Sequence, residues 1–460
     1  MKRRFDFKPR QKPHAATSDS SPPQPIDVTI EKLIYGGDGL AHHEGATVFV
    51  PFVLPSERVA AEPLERKKDF LRAKLGRVIE ASPERVEPSC PHFGVCGGCD
   101  YQHIPYDAQL RYKTEILRET LRRTGRIDWT GEIQNHASEA WRYRNRAQWK
   151  VRSAATGTAE SDAAHPATME IGYFRAQSAL LCAVRDCPIL SPVLLKVLLS
   201  LRDALAAGSL PRELREIEAF TNEDASGASP RVLLTLTASG FPSRVAEHAK
   251  NILAMIPEIE SLLVHDPRQD RMELFGPGFL HYAVGGRMYR VGHFSFFQVN
   301  RFLAEGLARE AAGSEEPGEL ALDLFAGVGI FALPLAERFQ KVIAVESNPA
   351  AARDLEVNAR GNPAIDVRTA DVEEFLLKFR GAPDLVVVDP PRAGLTPEIV
   401  QRLVQIAPHR ITYVSCEPPT LARDLRGFLE GRYEISSIDL FDLFPQTAHM
   451  ETAVRLRRLT

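Results

Sequence analysis

The chain has 460 residues, 44% apolar and 25% charged, with a formal net charge of −3. That length suits two or three domains around a sizeable core, and the charge balance by itself points to no class of partner. No apolar run reaches the about eighteen residues of a membrane-spanning helix, and six scattered cysteines are too few for a disulfide framework in so long a chain.

Residues 1–25, MKRRFDFKPRQKPHAATSDSSPPQP, are basic, polar and rich in Pro and Ser. They lack the apolar stretch of a secretory signal, so they read as a disordered tail on a cytoplasmic protein. From 26 to 82, short β-rich runs at 27–30, 46–53, 58–61 and 71–79 alternate with Gly turns such as GGDG at 36–39. This spacing predicts a small β-barrel.

The stretch CPHFGVCGGC at 90–99 follows, with Cys90, Cys96 and Cys99 in ten residues. Metal binding or catalysis is the reading for such a cluster in a reducing compartment. A fourth ligand is available in Cys182 or Cys187. Four thiolates suit either a tetrahedral Zn²⁺ or an iron–sulfur cluster, and spacing does not decide between them.

A basic helix is predicted over 106–123, and residues 101–150 hold ten Lys or Arg against six Asp or Glu. Arg142, Arg144 and Arg146 alternate with Tyr143 and Asn145. On a strand that alternation places all three on one face, as a solvated or a phosphate-binding surface. The β pattern resumes at 140 with a small-residue loop at 153–168, a helix over 194–205 and a strand over 231–237.

From about 320 the rhythm becomes strand–helix–strand, with apolar runs at 320–325, 341–346, 384–389 and 410–415. That is the pattern of a parallel sheet with crossover helices. The first run enters DLFAGVGIF, where Gly327 and Gly329 allow close approach of a ligand or of packed backbone. Glu346 ends the second run, where an acid suits a ribose diol. Asp371 and Asp389 stand at the same edge. The short DxFxGxG with a downstream DPP is similar to S-adenosylmethionine-dependent methyltransferases of the Rossmann-like class. Arg392 replaces the aromatic of the DPPY tetrad, which turns the reading away from an exocyclic amine. Cys416 follows the last run, and a thiolate there suits addition to C6 of uracil, which activates C5. FPQTAHMET offers His449 and Glu451 as the base that then removes the C5 proton.

Taken together, CPHFGVCGGCDYQH, WRYRNRAQWK, CPIL, SFFQVN, DLFAGVGIFALPLA, VESNP, DPPRAG, SCEPPTLARDL and FPQTAHMET resemble the RNA 5-methyluridine (uracil-C5) methyltransferases of tRNA and 23S rRNA, especially the iron–sulfur ribosomal branch. The resemblance implies an α/β fold with a Rossmann-like class I methyltransferase domain at 286–460. It also implies an N-terminal OB-like TRAM barrel at 26–82 and a β-rich iron–sulfur and RNA-binding domain at 83–285, whose early helix packs with the catalytic domain. Cys416 is implied as nucleophile and Glu451 as base. Gln298, Phe325, Gly327, Gly329, Glu346, Asp371 and Asp389 are implied for S-adenosylmethionine, and Cys90, Cys96, Cys99 and Cys187 for a [4Fe–4S] cluster. RNA is the expected partner of a monomer, with Phe294, Phe296 and Phe297 as candidates to stack on a flipped base. Two positions depart from the family: Ile330 stands where some ribosomal members have Asn, and Glu417 where SCNP is common. The alternatives are a tRNA uridine-C5 methyltransferase and a non-catalytic RNA-binding or ribosome-assembly protein. The joint presence of Cys416 and Glu451 argues against the last.

Overall fold

A computed structural model describes residues 24–153, 169–223, 229–313 and 316–459. Most of the predicted tail and nearly all of the small-residue loop at 153–168 lie outside the described residues. The chain divides into two compact units. The first ends at Lys32 and resumes over Gly39–Ser82, and the second takes Leu33–Asp38 and everything from Pro83 on.

The first unit is a curled sheet. Strands β1 (Ile26–Thr29), β3 (Gly39–His43), β4 (Ala46–Val50), β5 (Arg58–Arg66) and β6 (Phe70–Glu80) lie in the order β1-β5-β6-β4-β3, and the two-residue β2 (Lys32–Leu33) marks where the chain leaves it. Alternate residues turn inwards, so Val28, Ala41, Val48, Val50 and Val59 form one small core. Gly39 is required by that core, because a Cβ there would lie 2.3 Å from Val53 Cγ2.

The second unit opens with the cysteine segment, then α1 (Tyr106–Thr120) and β7 (Ile133–His136). A central sheet follows, built from β8 (Arg146–Ser153), β9 (Met169–Phe174), β10 (Leu181–Ala183), β11 (Leu214–Thr221), β12 (Val232–Ala238), β13 (Ile259–Asp266) and β14 (Arg271–Phe275). Its order is β10-β9-β8-β11-β12-β13-β14. Helix α2 (Pro192–Ala206) buries Val193, Leu194, Val197, Leu198 and Leu201 at helical spacing in a core shared with Trp149. Helix α3 (Val245–Met255) connects β12 to its parallel neighbour β13. The hairpin β15 (Phe279–Val284) and β16 (Arg287–Gly292) leads into SFFQVN.

The catalytic half carries β17 (Gly318–Leu324), β18 (Phe339–Glu346), β19 (Ile365–Thr369), β20 (Leu385–Val388), β21 (Arg410–Ser415), β22 (Tyr433–Phe441) and β23 (Glu451–Arg458). Helix α4 (Ala304–Ala308) precedes them, and between them run α5 (Ala332–Leu335), α6 (Pro349–Asn358), α7 (Val372–Lys378), α8 (Pro397–Ile406) and α9 (Pro418–Glu430). The sheet order is β19-β18-β17-β20-β21-β23-β22-β7. Strands β17 to β21 are mutually parallel, and β23 inserts antiparallel between β21 and β22. Strand order reverses around β17, which opens a ligand crevice at the carboxyl ends of β17 and β20. The strand β19 reads IDVRT at the sheet edge, too polar for an apolar-run criterion to find.

The expected arginine face is corrected by the structure. Arg142 has φ +58, which breaks strand alternation before β8 begins at Arg146. Arg142 is exposed, Arg144 half-buried, and Arg146 is turned in, paired with Glu218 at 3.1 Å and set over the Phe220 ring. Arg146 therefore serves the central fold rather than a phosphate.

Helix α1 packs on the catalytic half. Its buried face (Gln109, Tyr112, Lys113, Ile116, Leu117) repeats every three to four residues, and β7 adds to the catalytic sheet beside β22. Two polar members of that face grip the loop after β22. Lys113 Nζ donates to Asp442 Oδ1 at 2.6 Å and to the Phe444 carbonyl at 3.1 Å. The Gln109 amide exchanges hydrogen bonds with Gln446 at 2.9 and 3.0 Å. Both ends of the Lys113–Asp442 pair are fully buried. Lys113→Met should therefore cost about 3–5 kcal/mol in denaturant unfolding, because Asp442 keeps a buried charge without its cation. Lys113→Met combined with Asp442→Leu should recover most of that loss. Full stability in the single variant would show that the pair is not what holds the loop.

Candidate active site and cysteine cavity

Four acids meet at the carboxyl edge of the sheet. Asp323 lies near the end of β17, Glu346 ends β18, Asp389 follows β20 and Glu451 begins β23. Glu346 accepts from Gly327 N at 2.9 Å and from Asn348 N at 2.6 Å, which pins the glycine turn to the strand end. The two glycines of that turn differ in role. A Cβ on Gly327 would meet nothing within 4 Å, so its backbone faces open space, whereas one on Gly329 would strike Leu355 Cδ1 at 2.5 Å. Gly327 is thus the position for close ligand approach and Gly329 the position for packing. Phe325 holds φ +65, a costly conformation for a bulky residue and one that concentrates at functional sites. Gln298 is buried at the end of SFFQV, its carbonyl accepting from Asn145 at 3.1 Å.

Burial, then the charges of Asp389 and Glu346, push Asp323 up to about 8. Burial raises Asp389 as well. Glu451 is raised well above the carboxylate range by burial and then by Asp389. A site so crowded with acids favours a cationic ligand, which fits the sulfonium of S-adenosylmethionine beside an open glycine turn. Asp371 stands apart. It is exposed, and its Oδ1 caps α7 by accepting from Glu373 N and Glu374 N.

Cys416 sits just past β21, and strand register decides its partner. Ser415 pairs with Thr452 in the antiparallel β21–β23 ladder, so Cys416 and Glu451 are the next residues outward on adjacent strands. Burial, then Glu451 and Asp389, push the thiol up to about 12, and Arg392 is the cation that opposes them. His449 lines the neighbouring cavity with part of its ring open. Desolvation by the cavity walls, then Arg392, Lys113 and Arg144, push its imidazole down to about 4. Of the three phenylalanines, Phe297 is core, packed on Tyr282 at 4.7 Å, while Phe294 and Phe296 are 45% and 59% exposed.

Beside this edge lies a cavity of about 290 Å³, lined by Cys90, Cys96, Cys99 and Cys187 together with Arg144 and Arg392. Cys182 is not on its wall; it sits in β10, within hydrogen-bonding reach of Cys96. Turns hold the three early cysteines: Cys96 N donates to the His92 carbonyl at 2.8 Å and Gly97 N to the Phe174 carbonyl at 2.9 Å. Gln102 accepts from Cys90 N at 3.0 Å and hydrogen-bonds the Cys99 sulfur. Burial raises all four thiols, Cys96 to about 12 and Cys187 to about 11; neighbouring thiols add to the rise at Cys96, Cys99 and Cys187, and Asp186 adds to it at Cys90. Among the described residues, no three His, Cys, Asp or Glu side chains converge tightly enough to hold one metal ion. The thiols instead ring a space.

The cysteine segment is also tied to the catalytic loop. Asp100 N and Tyr101 N both donate to the Gln446 carbonyl at 3.0 Å, and Ala448 N donates to Asp100 Oδ2 at 3.0 Å. Sequence reasoning did not single out Asp323, Lys113, Gln109 or Tyr35. Asp323 was signalled by its place at the head of DLFAGVG. The others lie far in sequence from what they touch.

Strand order and site define a class I methyltransferase fold, and the relatives agree. Residues 282–459 match the family tRNA (Uracil-5-)-methyltransferase. An uncharacterized RNA methyltransferase of Aquifex aeolicus is 33% identical, covering 94% of this chain and 98% of the relative. The 23S rRNA (uracil(1939)-C(5))-methyltransferase RlmD of Alkalilimnicola ehrlichii is 32% identical, covering 95% and 97%. Among solved structures, the tRNA (uracil-54, C5)-methyltransferase of Pyrococcus abyssi, in complex with S-adenosyl-L-homocysteine, superimposes with a TM-score of 0.70 at 26% identity, covering 94% of this chain and all of that one. The chain belongs to the S-adenosylmethionine-dependent RNA (uracil-C5) methyltransferase family.

The electrostatics set the pH behaviour of Cys416. Because the thiol is held up at about 12, alkylation by iodoacetamide should rise about tenfold per pH unit from 7 to 10 without a plateau. Glu451→Gln removes a group that is a negative neighbour once ionised, so it should lower the thiol pKa and speed alkylation toward the alkaline end of that range. A plateau near pH 8, or slower alkylation in the variant, would contradict the assignment of charges.

Proposed function

We propose that this protein methylates C5 of a uridine in 23S rRNA, with Cys416 as nucleophile and Glu451 as base. The observation that carries the reading is the register that sets these two residues side by side at the cofactor edge. The Cys416 sulfur donates an electron pair to C6 and forms the S–C6 bond, while the C5–C6 π pair moves onto C5 and O4. Arg392 is the cation that favours the thiolate. When bound, S-adenosylmethionine supplies an electrophilic methyl, which C5 takes up. Glu451 then accepts the C5 proton. The released pair re-forms the C5–C6 double bond, and the S–C6 bond breaks to return the thiolate.

The surroundings favour Glu451 over His449 as base. A base must keep the proton it has taken. Burial, then Asp389, raise the proton affinity of the Glu451 carboxylate, whereas desolvation, then Arg392, Lys113 and Arg144, lower that of the His449 imidazole. Gln298, Phe325, Gly327, Glu346 and Asp389 would hold S-adenosylmethionine, with Gly329 shaping the turn and Asp371 reaching the site only from the periphery.

The cysteine ring is read as a [4Fe–4S] site of Cys90, Cys96, Cys99 and Cys187. Zinc needs four sulfurs about 2.3 Å from one point. A cube spreads its iron corners, and so suits thiols arranged around a space. Cys187 lies on that wall and Cys182 does not. Arg144, on the same wall, would offset the negative charge of a thiolate-bound cluster. The sheet at 26–82 is read as a TRAM domain that binds RNA, and the protein as a cytoplasmic monomer. Ribosomal rather than transfer RNA is favoured because the ribosomal relative is 32% identical and the tRNA enzyme 26%.

Mapping 5-methyluridine in both RNAs from a deletion strain decides the substrate: loss from 23S rRNA alone is expected, and loss from tRNA alone would overturn it. Glu451→Gln should accumulate RNA bound covalently to protein, seen as a slow band on a denaturing gel. That band should vanish when Cys416→Ser is added. Normal turnover of Glu451→Gln, with trapping in His449→Ala, would make His449 the base. Protein purified without oxygen should be brown and carry roughly four iron per chain. Cys187→Ala should lose the colour and Cys182→Ala keep it; zinc without iron would refute the cluster.

A further inference from the structure

The structure gives the Glu417 side chain an unusual position. It occupies the N-cap site of α9 yet makes no capping hydrogen bond. Its backbone N is held by Ser415 Oγ at 3.1 Å, and one carboxylate oxygen accepts from the Tyr35 hydroxyl. The second oxygen has no hydrogen-bond partner among the described residues. Tyr35 belongs to Leu33–Asp38, the short segment that packs with the second unit although strands of the first flank it. The segment is built to hold that place. Gly36 and Gly37 take φ +97 and +94, and Ile34 N and Gly37 N close the turn on the Asp38 and Ile34 carbonyls at 2.9 and 3.1 Å. A Cβ on Gly37 would lie 3.0 Å from Ala448 and 3.3 Å from Asp100, so the turn is seated on the catalytic loop. Tyr35, Glu417 and Arg392 all act electrostatically on Cys416 or on one another.

We infer that the free oxygen of Glu417, aimed by Tyr35, accepts the N3–H of the target base and makes this pair the determinant of uracil over cytosine. The inference rests on Cys416 as the nucleophile at C6. Thiolate addition to C6 is open to both pyrimidines, so the choice must be made elsewhere on the ring. Uracil presents N3–H between two carbonyls; cytosine presents a lone pair at N3 and an amine at C4. Around Cys416, Glu451 serves C5 and Asp389 lies on the cofactor side. The remaining charged groups are the free carboxylate oxygen of Glu417 and the Arg392 guanidinium, which is exposed and makes no ion pair among the described residues. One acceptor and one cationic donor complement N3–H and a carbonyl, and they oppose a cytosine on both counts. Because the Tyr35 hydroxyl is already committed as a donor to Glu417, it offers no proton to a cytosine N3. Sites built around such a hydrogen bond reject an analogue that lacks it far more strongly than shape alone does.

The test uses fragments of the RNA that the full-length protein methylates, with uridine or cytidine at the target position, and reads kcat/KM for each. Glu417→Gln offers an amide N–H to N3, so the cytidine-to-uridine ratio should rise at least about tenfold, mostly through loss on uridine. Tyr35→Phe should shift the ratio the same way by a smaller factor, with S-adenosylmethionine affinity unchanged in both. If both variants keep the wild-type ratio, Tyr35 and Glu417 do not read the base. If Glu417→Gln fails to fold, Tyr35→Phe alone decides by the same ratio. Wild-type protein that methylates no uridine would refute the enzymatic reading itself, a result distinct from an unchanged ratio.

Discussion

An antiparallel strand inserted into a parallel sheet sets the geometry on which the active edge depends. In a purely parallel sheet, every strand presents the same end to the ligand crevice, and each end is followed by a crossover helix. Strand β23 runs the other way, so it presents its first residue, Glu451, where β21 presents the residue after its last, Cys416. The residues proposed as nucleophile and base are therefore neighbours through the strand register rather than through side-chain packing. A slip of one residue would turn one of them to the opposite face of the sheet.

Placing Asp323, Asp389 and Glu451 together at a buried edge is electrostatically unfavourable, and the rest of the site compensates. Arg392 is the cation that opposes them at Cys416. Glu346 is satisfied differently, by hydrogen bonds from two backbone N–H groups. What remains is an edge that prefers protons or a cation. That preference suits a sulfonium donor, and it raises the proton affinity of Glu451, the residue proposed as base.

The loop that delivers Glu451 is gripped from three sides. Helix α1 holds it through Lys113 and Gln109. The segment just after Cys99 holds it through Asp100 and Tyr101, and the glycine turn at 36–37 rests on Ala448. These three elements all precede residue 121 in the chain. The cysteine cavity thus bears on the same loop that carries His449.

The order of residues alone sets out the strand–helix rhythm of the C-terminal half, because apolar runs leading into Glu346, Asp389 and Cys416 are local signals of buried parallel strands. It also marked the glycine turn, the cysteine cluster and the likeness to uracil-C5 methyltransferases, since each lies in a continuous motif. It could not show that Arg146 turns inward to Glu218, because alternation says which residues share a face and not which face is buried. It could not separate Gly327 from Gly329, nor reveal that Asp371 caps a helix. The pairing of Tyr35 with Glu417 spans 382 residues, and that of Lys113 with Asp442 spans 329. Contacts at such separations leave no periodicity or spacing to read; they exist only once the second unit has closed and brought the segment at 33–38 and helix α1 against its C-terminal loops.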